Sequence, residues 1–351
     1  MTNKMSSKTA FARNRSKFVL ATILILAIGL VSLYLASSPQ PSQDKSKGTT
    51  SISSNTTSAQ PLEELQGQVT LSGAWALYPM TVVWGEEFQK LHPNVKVEVS
   101  AGGAGKGMAD ALGGLVDIGM VSRDIDPAEV AKGAYPIAVT KDAVVATINS
   151  KNPVLNDIET RGVTREVFIG IFIDGTIKTW GEVVGRPEIK DEIHVYTRSD
   201  AAGAPEIWAK YLGKKQENLK GIGVYGDPGV LAVVQKDPLG IGYNNYNYVF
   251  DMKSGLPIAG VKIAPFDVDK NGKVDSNEDI STKAKTVQAI KSGVFPHPPA
   301  RVEYFVTKDR PSGLEKEFIK WVLIEGQRFV DEAGYIELPK ETVDDSLRRV
   351  G

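Results

Sequence analysis

Short apolar segments alternate with segments of helical periodicity along most of this chain, and this alternation limits the folds open to it. Strands are predicted at residues 69–72, 95–100, 117–121 and 143–148, with one helix at 78–92 and another that follows the Gly-rich residues 101–107 and runs to about 115. A strand–helix–strand–helix order is typical of an α/β domain with a largely parallel sheet.

The remainder of the chain continues the same pattern. Helices are predicted at 164–172, 205–212, 229–236 and 313–332, and strands at 192–197, 240–243 and 302–306. About 290 patterned residues are more than one ordinary domain needs, so two domains are expected.

The N-terminus has a different composition. Residues 1–17 contain five basic and no acidic residues, and residues 18–36 form an apolar run without a charge. A helix of this length rises roughly 28 Å, close to the thickness of a bilayer core. We predict a cytoplasmic segment (1–17), a transmembrane anchor (18–36) and a flexible Ser/Thr-rich linker (37–60), which place the rest outside the cell. A cleaved signal peptide with small residues at 36–38 is the alternative, and the length of the run favours the anchor.

Composition excludes several classes of function. The chain has no cysteine, which rules out disulfides, thiolate metal sites and cysteine nucleophiles. A formal net charge of −1 offers no basic excess for nucleic acid. The three histidines are far apart, and no nucleophile–base pair is recognisable, so an enzyme is not expected.

Three loops that follow predicted strands carry residues suited to an anion. Residues 100–107 form a Gly-rich turn before a helix, where backbone N–H groups and the helix dipole favour negative charge. Gly107 stands where a Walker loop needs Ser or Thr. The second loop carries Asp117, Ser122 and Arg123, and the third begins at Arg198, whose guanidinium suits bidentate anion recognition. A tight turn, an internal salt bridge and a surface arginine are the structural alternatives.

Taken together, ordered landmarks along 66–347 resemble the phosphate-binding protein of ABC-type phosphate importers. They are Ser72–Gly73, 102–107, Asp117, Ser122–Arg123, 141–143, 177–180, Arg198, Gly203, 240–243, 325–327 and 334–338. The resemblance implies a two-lobed α/β fold of the periplasmic-binding-protein type (type II), joined by a hinge that the chain crosses twice. It also implies a monomer that delivers a small anion to ABC permease subunits without catalysis. We place lobe I at 66–146 and 251–351, and lobe II at 147–250.

The chain departs from that family at the ligand-binding loops, where hydroxyl side chains are expected. Alanine or tryptophan occupies these positions, at Ala74, Trp75, Ala104, Ala202 and Ala204. A hydrogen bond to a charged group contributes about 1.5–3 kcal/mol, so losing three or four removes roughly 5–10 kcal/mol, against about 8 kcal/mol for micromolar binding. Phosphate, another small solute, or a surface structural module that has lost its solute all remain open. The predicted ligand-binding residues are Ala74, Trp75, Gly103, Ala104, Gly105, Asp117, Arg198, Gly203 and Ala204.

Residues 267–278 match the calcium-loop pattern at every ligand position. Those positions are Asp267, Asp269, Asn271, Lys273 through its carbonyl, Asp275 and Glu278, with Gly272 at the sharp turn. A strand-like segment precedes the loop and a helix is predicted to follow, so two flanking EF-hand helices are not expected. Hard oxygen ligands favour a structural Ca²⁺ that stiffens an insertion, and a solvated acidic loop is the alternative.

Overall fold

The computed structural model describes residues 64–297 and 299–351. The predicted basic segment, anchor and linker therefore lie outside the described residues. Within them, no helix combines the length and the apolar character that a membrane span requires.

The strands and helices follow each other in the predicted alternating order. The strands are β1 (Gly67–Gly73), β2 (Val95–Ala101), β3 (Ile118–Val121), β4 (Ala134–Asn149), β5 (His194–Arg198), β6 (Ile222–Val224), β7 (Gly240–Asn245), β8 (Val261–Ile263) and β9 (Ala300–Lys308). The helices are α1 (Tyr78–Leu91), α2 (Ala104–Leu112), α3 (Pro127–Val130), α4 (Leu155–Arg161), α5 (Arg165–Ile169), α6 (Trp180–Val183), α7 (Gly203–Tyr211), α8 (Gly226–Lys236), α9 (Tyr246–Val249), α10 (Lys283–Ser292), α11 (Gly313–Ile324) and α12 (Lys340–Val350).

One mixed sheet connects these strands in the order β2-β1-β3-β9-β4-β7-β5-β6, with β8 also paired to β4. Pairing is parallel at both ends of the sheet, and antiparallel from β3 to β7. The prediction of a largely parallel sheet is therefore wrong in the centre. There, β4 and β9 carry the chain in opposite directions between the two halves, so they must pair antiparallel.

Two separate hydrophobic cores lie on either side of these crossing strands. One is built around Trp84 and Phe318, and the other around Phe168, Trp208 and Tyr243. We call the first half lobe I (64–139 and 305–351) and the second lobe II (143–300). β4 contributes to both cores, because its first part pairs with β9 and its second part with β7 and β8.

The core places the 251–300 segment in lobe II, which corrects the predicted lobe boundaries. Phe266 packs against Phe168 at a ring-centroid distance of 5.7 Å and against Phe295 at 5.2 Å. Ile263 and Ile290 are buried in the same core. The segment belongs to lobe II because its apolar side chains find their partners there, although the chain returns to lobe I soon afterwards.

Several helices differ from their predicted bounds, and two of them do so for local reasons. α7 begins at Gly203, so Pro205 lies in the first turn and not at the first position. The helix predicted at 313–332 ends at Ile324, and a 3-10 turn follows at Gly326–Phe329. The indole Nε1 of Trp84 donates to the Gly326 carbonyl at 2.8 Å, which holds the chain in this turn.

We expect the Phe266→Ala variant to lose about 3–5 kcal/mol of unfolding free energy, because it removes a ring that is 2% exposed. Leu256→Ala is the matched control, since Leu256 lies in the same segment but is 53% exposed, and its cost should stay near 0.5 kcal/mol. Urea unfolding followed by tryptophan fluorescence measures both. Equal losses for the two variants would contradict the assignment of Phe266 to the lobe II core.

Candidate functional site

The loops that follow β2 and β3 in lobe I meet the loop that follows β5 in lobe II. The Gly105 amide of lobe I donates to the Ala201 carbonyl of lobe II at 3.1 Å. The carboxyl ends of strands on both sides therefore converge on one interlobe cleft, which is where open α/β sheets bind ligands.

Two glycines allow this close approach of the loops. A Cβ atom on Gly203 would lie 2.2 Å from Ser122 Oγ, so any side chain there would push the lobes apart. Gly103 has a φ of +98°, and a Cβ at that position would lie 2.7 Å from the Ala201 carbonyl oxygen. The Gly-rich turn is required by the contact as well as by its backbone conformation.

Helices α2 and α7 point their N-termini into the cleft from opposite lobes. Each has nine residues. Across 64–297 and 299–351, the backbone amides of Ala104, Gly203 and Ala204 find no acceptor. Free N–H groups at the positive ends of two helix dipoles form a site that favours an anion.

Arg198 ends β5 next to these amides, and its side chain is fully buried. Nε and Nη2 donate to the two carboxylate oxygens of Asp200 at 2.7 and 2.5 Å, and Nη1 donates to Asp227 Oδ2 at 2.6 Å. Three of its five N–H donors are thus engaged by two carboxylates. Burial alone would raise the pKa of Asp200, but the hydrogen bonds and charge of Arg198 outweigh it and hold that pKa below its usual value.

A chain of buried hydrogen bonds runs from Arg198 to the crossing strands. Asn245 donates through Nδ2 to Asp227 Oδ2 at 2.8 Å, and its Oδ1 accepts from Arg301 Nη2. Arg301, on β9, also contacts Asp142 Oδ1 at 3.0 Å. The crossing strands and the candidate anion site therefore belong to one polar network.

Two acidic groups in that network have raised pKa values. Burial raises the pKa of Asp142 to about 6, against the opposing charge of Arg301. Burial, followed by the negative charge of Asp142, raises the pKa of Glu303 well above its usual value. Because one arginine faces two buried carboxyl groups here, the surroundings favour the neutral form of Glu303.

Trp75 fills part of the space between the lobes. Its indole lies against Gly226 of lobe II, and its ring centroid is 6.0 Å from that of Tyr225 in an edge-on arrangement. The Tyr248 hydroxyl donates to the Trp75 carbonyl at 2.9 Å. This packing makes the cleft smaller at the position where the family resemblance leads us to expect a hydroxyl side chain.

The structure brings together most of the predicted ligand-binding residues. Those that meet in or beside the cleft are Ala74, Trp75, Gly103, Ala104, Gly105, Arg198, Gly203 and Ala204. Asp117 lies elsewhere, because it precedes β3 whereas the cleft follows the carboxyl end of that strand. Its Oδ2 accepts from the Thr70 amide at 2.7 Å and from the Thr70 hydroxyl at 2.8 Å, which ties together the far ends of two strands. Its predicted role in the ligand site is therefore corrected to a structural one.

The sequence analysis missed Asp200 and Asp227 as partners of Arg198, and it placed Ser122 in a candidate anion loop but left it out of the predicted ligand-binding residues. A signal for Asp227 was available, because the dipeptide Gly226–Asp227 follows β6 and opens α8. This is the same strand–glycine–helix pattern that singled out the other loops.

Charged pairs also bridge the lobes at the mouth of the cleft, beside a cavity of about 620 Å³. Arg123 pairs with Glu129 of its own lobe at 2.6 Å and with Glu206 of lobe II at 3.3 Å. Lys210 of lobe II pairs with Asp124 of lobe I. The mouth therefore carries both signs of charge.

The acidic loop at 267–278 folds back on itself. One carboxylate oxygen from each of Asp267, Asp269 and Glu278 lies within 4.8 Å of the others. Gly272 has a φ of +75°, and the amides of Asn271 and Gly272 donate to Asp267 at 3.1 Å. As predicted, a strand (β8) precedes the loop and a helix (α10) follows it.

The other three predicted calcium ligands differ in how they are engaged. The Asn271 side-chain amide donates to Asp269 at 3.0 Å and to Asp275 at 2.7 Å, and the Lys273 ammonium pairs with Asp275 at 2.7 Å. The roles of Asn271, Lys273 and Asp275 as ligands stay predictions.

Comparison with known proteins identifies the family. A family model described as the PBP superfamily domain matches residues 42–325. The phosphate-binding protein PstS of Bacillus subtilis is 29% identical over 286 residues, which cover 81% of this chain and 85% of the relative. That of Methanocaldococcus jannaschii is also 29% identical, over 76% of this chain and 81% of the relative.

Solved structures show the same fold. One is from Clostridium perfringens, with bound phosphate, and is described as a putative phosphate ABC transporter substrate-binding protein. It has a TM-score of 0.63 at 23% identity, and covers 78% of this chain and all (100%) of its own. An ABC-type phosphate transport receptor from Vibrio cholerae has a TM-score of 0.54 at 21% identity, over 77% of this chain and 100% of its own.

These matches confirm the resemblance and the two-lobed α/β fold. The relatives are named as binding proteins and transport receptors, which also confirms the prediction of a protein that is not an enzyme. With a family model that spans most of its length, the chain belongs to the PBP superfamily domain family.

Proposed function

We propose that this chain is the substrate-binding component of an ABC importer and takes phosphate or a related small oxyanion in its interlobe cleft. The observation that carries the proposal is the convergence of two helix N-termini from opposite lobes beside Arg198. The names of the PstS relatives support the same class of ligand.

Backbone donors replace part of what the missing hydroxyls would supply. The free amides of Ala104, Gly203 and Ala204, the two unengaged N–H groups of Arg198 and the Ser122 hydroxyl offer six donors. Hydrogen bonds to a charged group contribute about 1.5–3 kcal/mol each before the cost of association. We therefore expect phosphate to bind, but more weakly than to a cleft lined with hydroxyls.

A surface structural module that has lost solute binding is the second candidate. The packing of Trp75 against Gly226 and the double pairing of Arg198 favour it, because both reduce the space and the charge available to a solute. The titration that tests the first proposal separates it from this one.

We expect Ala202→Ser to raise phosphate affinity by about tenfold or more, because it returns one hydroxyl beside the free Gly203 amide. Ala259→Ser is the matched control, since Ala259 is exposed and lies just before β8, outside the cleft, and the phosphate affinity of this variant should stay within about twofold. Isothermal titration of the full chain in detergent measures both. If neither the unchanged protein nor either variant binds phosphate, sulfate or a small carboxylate, the solute-binding proposal is overturned and the structural module is favoured.

We further propose that residues 18–36 anchor the chain in the cell membrane, with the binding domain outside and next to its permease subunits. The support is the basic, apolar and polar order of residues 1–60. We expect the full-length chain to stay with membranes after alkaline carbonate extraction and to be digested by protease added to intact cells. Release of a shortened chain would instead support the cleaved signal peptide.

The loop at 267–278 is proposed to bind a structural Ca²⁺, on the support of its sequence pattern and the approach of Asp267, Asp269 and Glu278. Calcium at about 100 times its Kd should add about 2.7 kcal/mol to the unfolding free energy, measured as a rise in Tm. Glu278→Gln should abolish the rise, and Asp279→Asn, which changes a neighbouring acid outside the loop, should retain it. A calcium response that Glu278→Gln leaves unchanged would refute the assignment.

A further inference from the structure

We propose that Asp227 makes the cleft selective for singly charged oxyanions over doubly charged ones, because its carboxylate cancels the charge of Arg198. This inference rests on the proposed function and concerns the same site. It identifies the ligand class as a monoanion such as dihydrogen phosphate.

The position of Asp227 is fixed on every side. The residue is fully buried in the first turn of α8, and its Oδ2 accepts from Arg198 Nη1 at 2.6 Å and from Asn245 Nδ2 at 2.8 Å. Its Oδ1 accepts from the Asn245 amide at 2.8 Å. Asn244 Nδ2 donates to the same Oδ1 at 3.4 Å. A carboxylate held by four donors cannot swing away when an anion approaches Arg198.

The charges around Arg198 sum to less than zero. Arg198 faces two carboxylates, Asp200 and Asp227, so this group carries a formal charge of −1. Helices α2 and α7 contribute roughly half a positive unit charge each at their N-termini. The site as a whole is therefore near neutral, whereas without the Asp227 charge it would carry about one positive charge.

The groups that surround Asp227 do not restore a positive charge. Asn244 and Asn245 face it from β7, and Tyr243 and Tyr248 lie close enough to be influenced by its charge. Beyond Asn245, on the crossing strands β4 and β9, Arg301 is one cation that faces two carboxyl groups, Asp142 and Glu303. Among the described residues, Arg198 is the one cation that pairs with Asp227.

A second negative charge on the anion therefore gains no attraction from the site, although it must still be desolvated. At an effective dielectric constant typical of protein sites, the negative charge that Asp227 adds several ångströms away weakens binding of each further anion charge by roughly tenfold or more. Phosphate can lose its second charge by taking up a proton near neutral pH, whereas sulfate cannot. Because both anions are tetrahedral, comparing them separates the effect of the ligand's charge from the effect of its shape.

The first measurement is titration of the full chain with phosphate and with sulfate at about pH 6 and about pH 8.5. Sulfate stays doubly charged throughout, so it reports any titration of protein groups, including Asp142. The ratio of phosphate affinity to sulfate affinity isolates the charge of the ligand. We expect this ratio to fall by about tenfold from the acidic to the alkaline condition. A ratio that is constant or rises with pH would overturn the inference.

The second measurement uses Asp227→Asn, which removes the charge and keeps the shape. We expect its sulfate affinity at about pH 8.5 to rise by about tenfold or more, and its preference for acidic conditions to disappear. Asp237→Asn is the matched control: Asp237 pairs with Tyr196 and with His194, which starts β5 roughly 13 Å along the strand from Arg198. Its anion affinities should stay within about twofold of those of the unchanged protein.

The outcomes separate this inference from the proposed function. Binding of phosphate by the unchanged protein, with no gain in Asp227→Asn, overturns the inference alone. Absence of binding by both proteins overturns the proposed function as well. The Asp227→Asn substitution would leave the Asn245 amide or another donor unpaired, so thermal unfolding must first show that the variant is folded. If the variant is not folded, the change with pH in the ratio of phosphate affinity to sulfate affinity, measured on the unchanged protein, tests the inference by itself.

Discussion

The antiparallel pairing of β4 with β9 is the constraint on which the rest of this structure depends. These two strands carry the chain out of lobe I and back, so both cores and the cleft take their relative positions from them. Arg301 and Glu303 on β9 and Asp142 on β4 form one buried charged group, where little solvent screens the charges. Replacing one partner of such a group would leave an uncompensated buried charge, which costs more than an exposed pair ever contributes.

The pairing of β4 with β9 also connects the crossing strands to the candidate ligand site. Asn245 is the last residue of β7, the neighbour of β4, and its side chain contacts Arg301 on one side and Asp227 on the other. The arginine that faces the candidate ligand is therefore held by residues whose positions depend on the crossing strands. A movement of the lobes and the charge of a bound ligand would act on one set of hydrogen bonds, which is a physical basis for coupling between them.

The sequence predicted the parts of the fold that depend on local pattern. Strand–glycine–helix order identified the turns at Gly103 and Gly203, because both the backbone conformation and the anion-binding geometry are local properties. It did not predict the mixed centre of the sheet, or that Phe266 packs in lobe II, since both depend on which distant segments meet. Asp117 and Asp227 illustrate the same limit. Each is an acidic residue beside a strand, and only the direction of the strand shows which one faces the cleft.

Because Trp75 contacts Gly226 of the other lobe, its intrinsic fluorescence is sensitive to the distance between the lobes. The chain has five tryptophans. Of the other four, Trp84 and Trp321 are buried in the core of lobe I, and Trp180 and Trp208 are buried in the core of lobe II. Trp75 alone spans the gap, with its indole in lobe I resting on the backbone of lobe II. Separation of the lobes would bring water to that ring while the other four keep their surroundings. The emission spectrum of the unlabelled protein therefore contains one component that reports lobe separation.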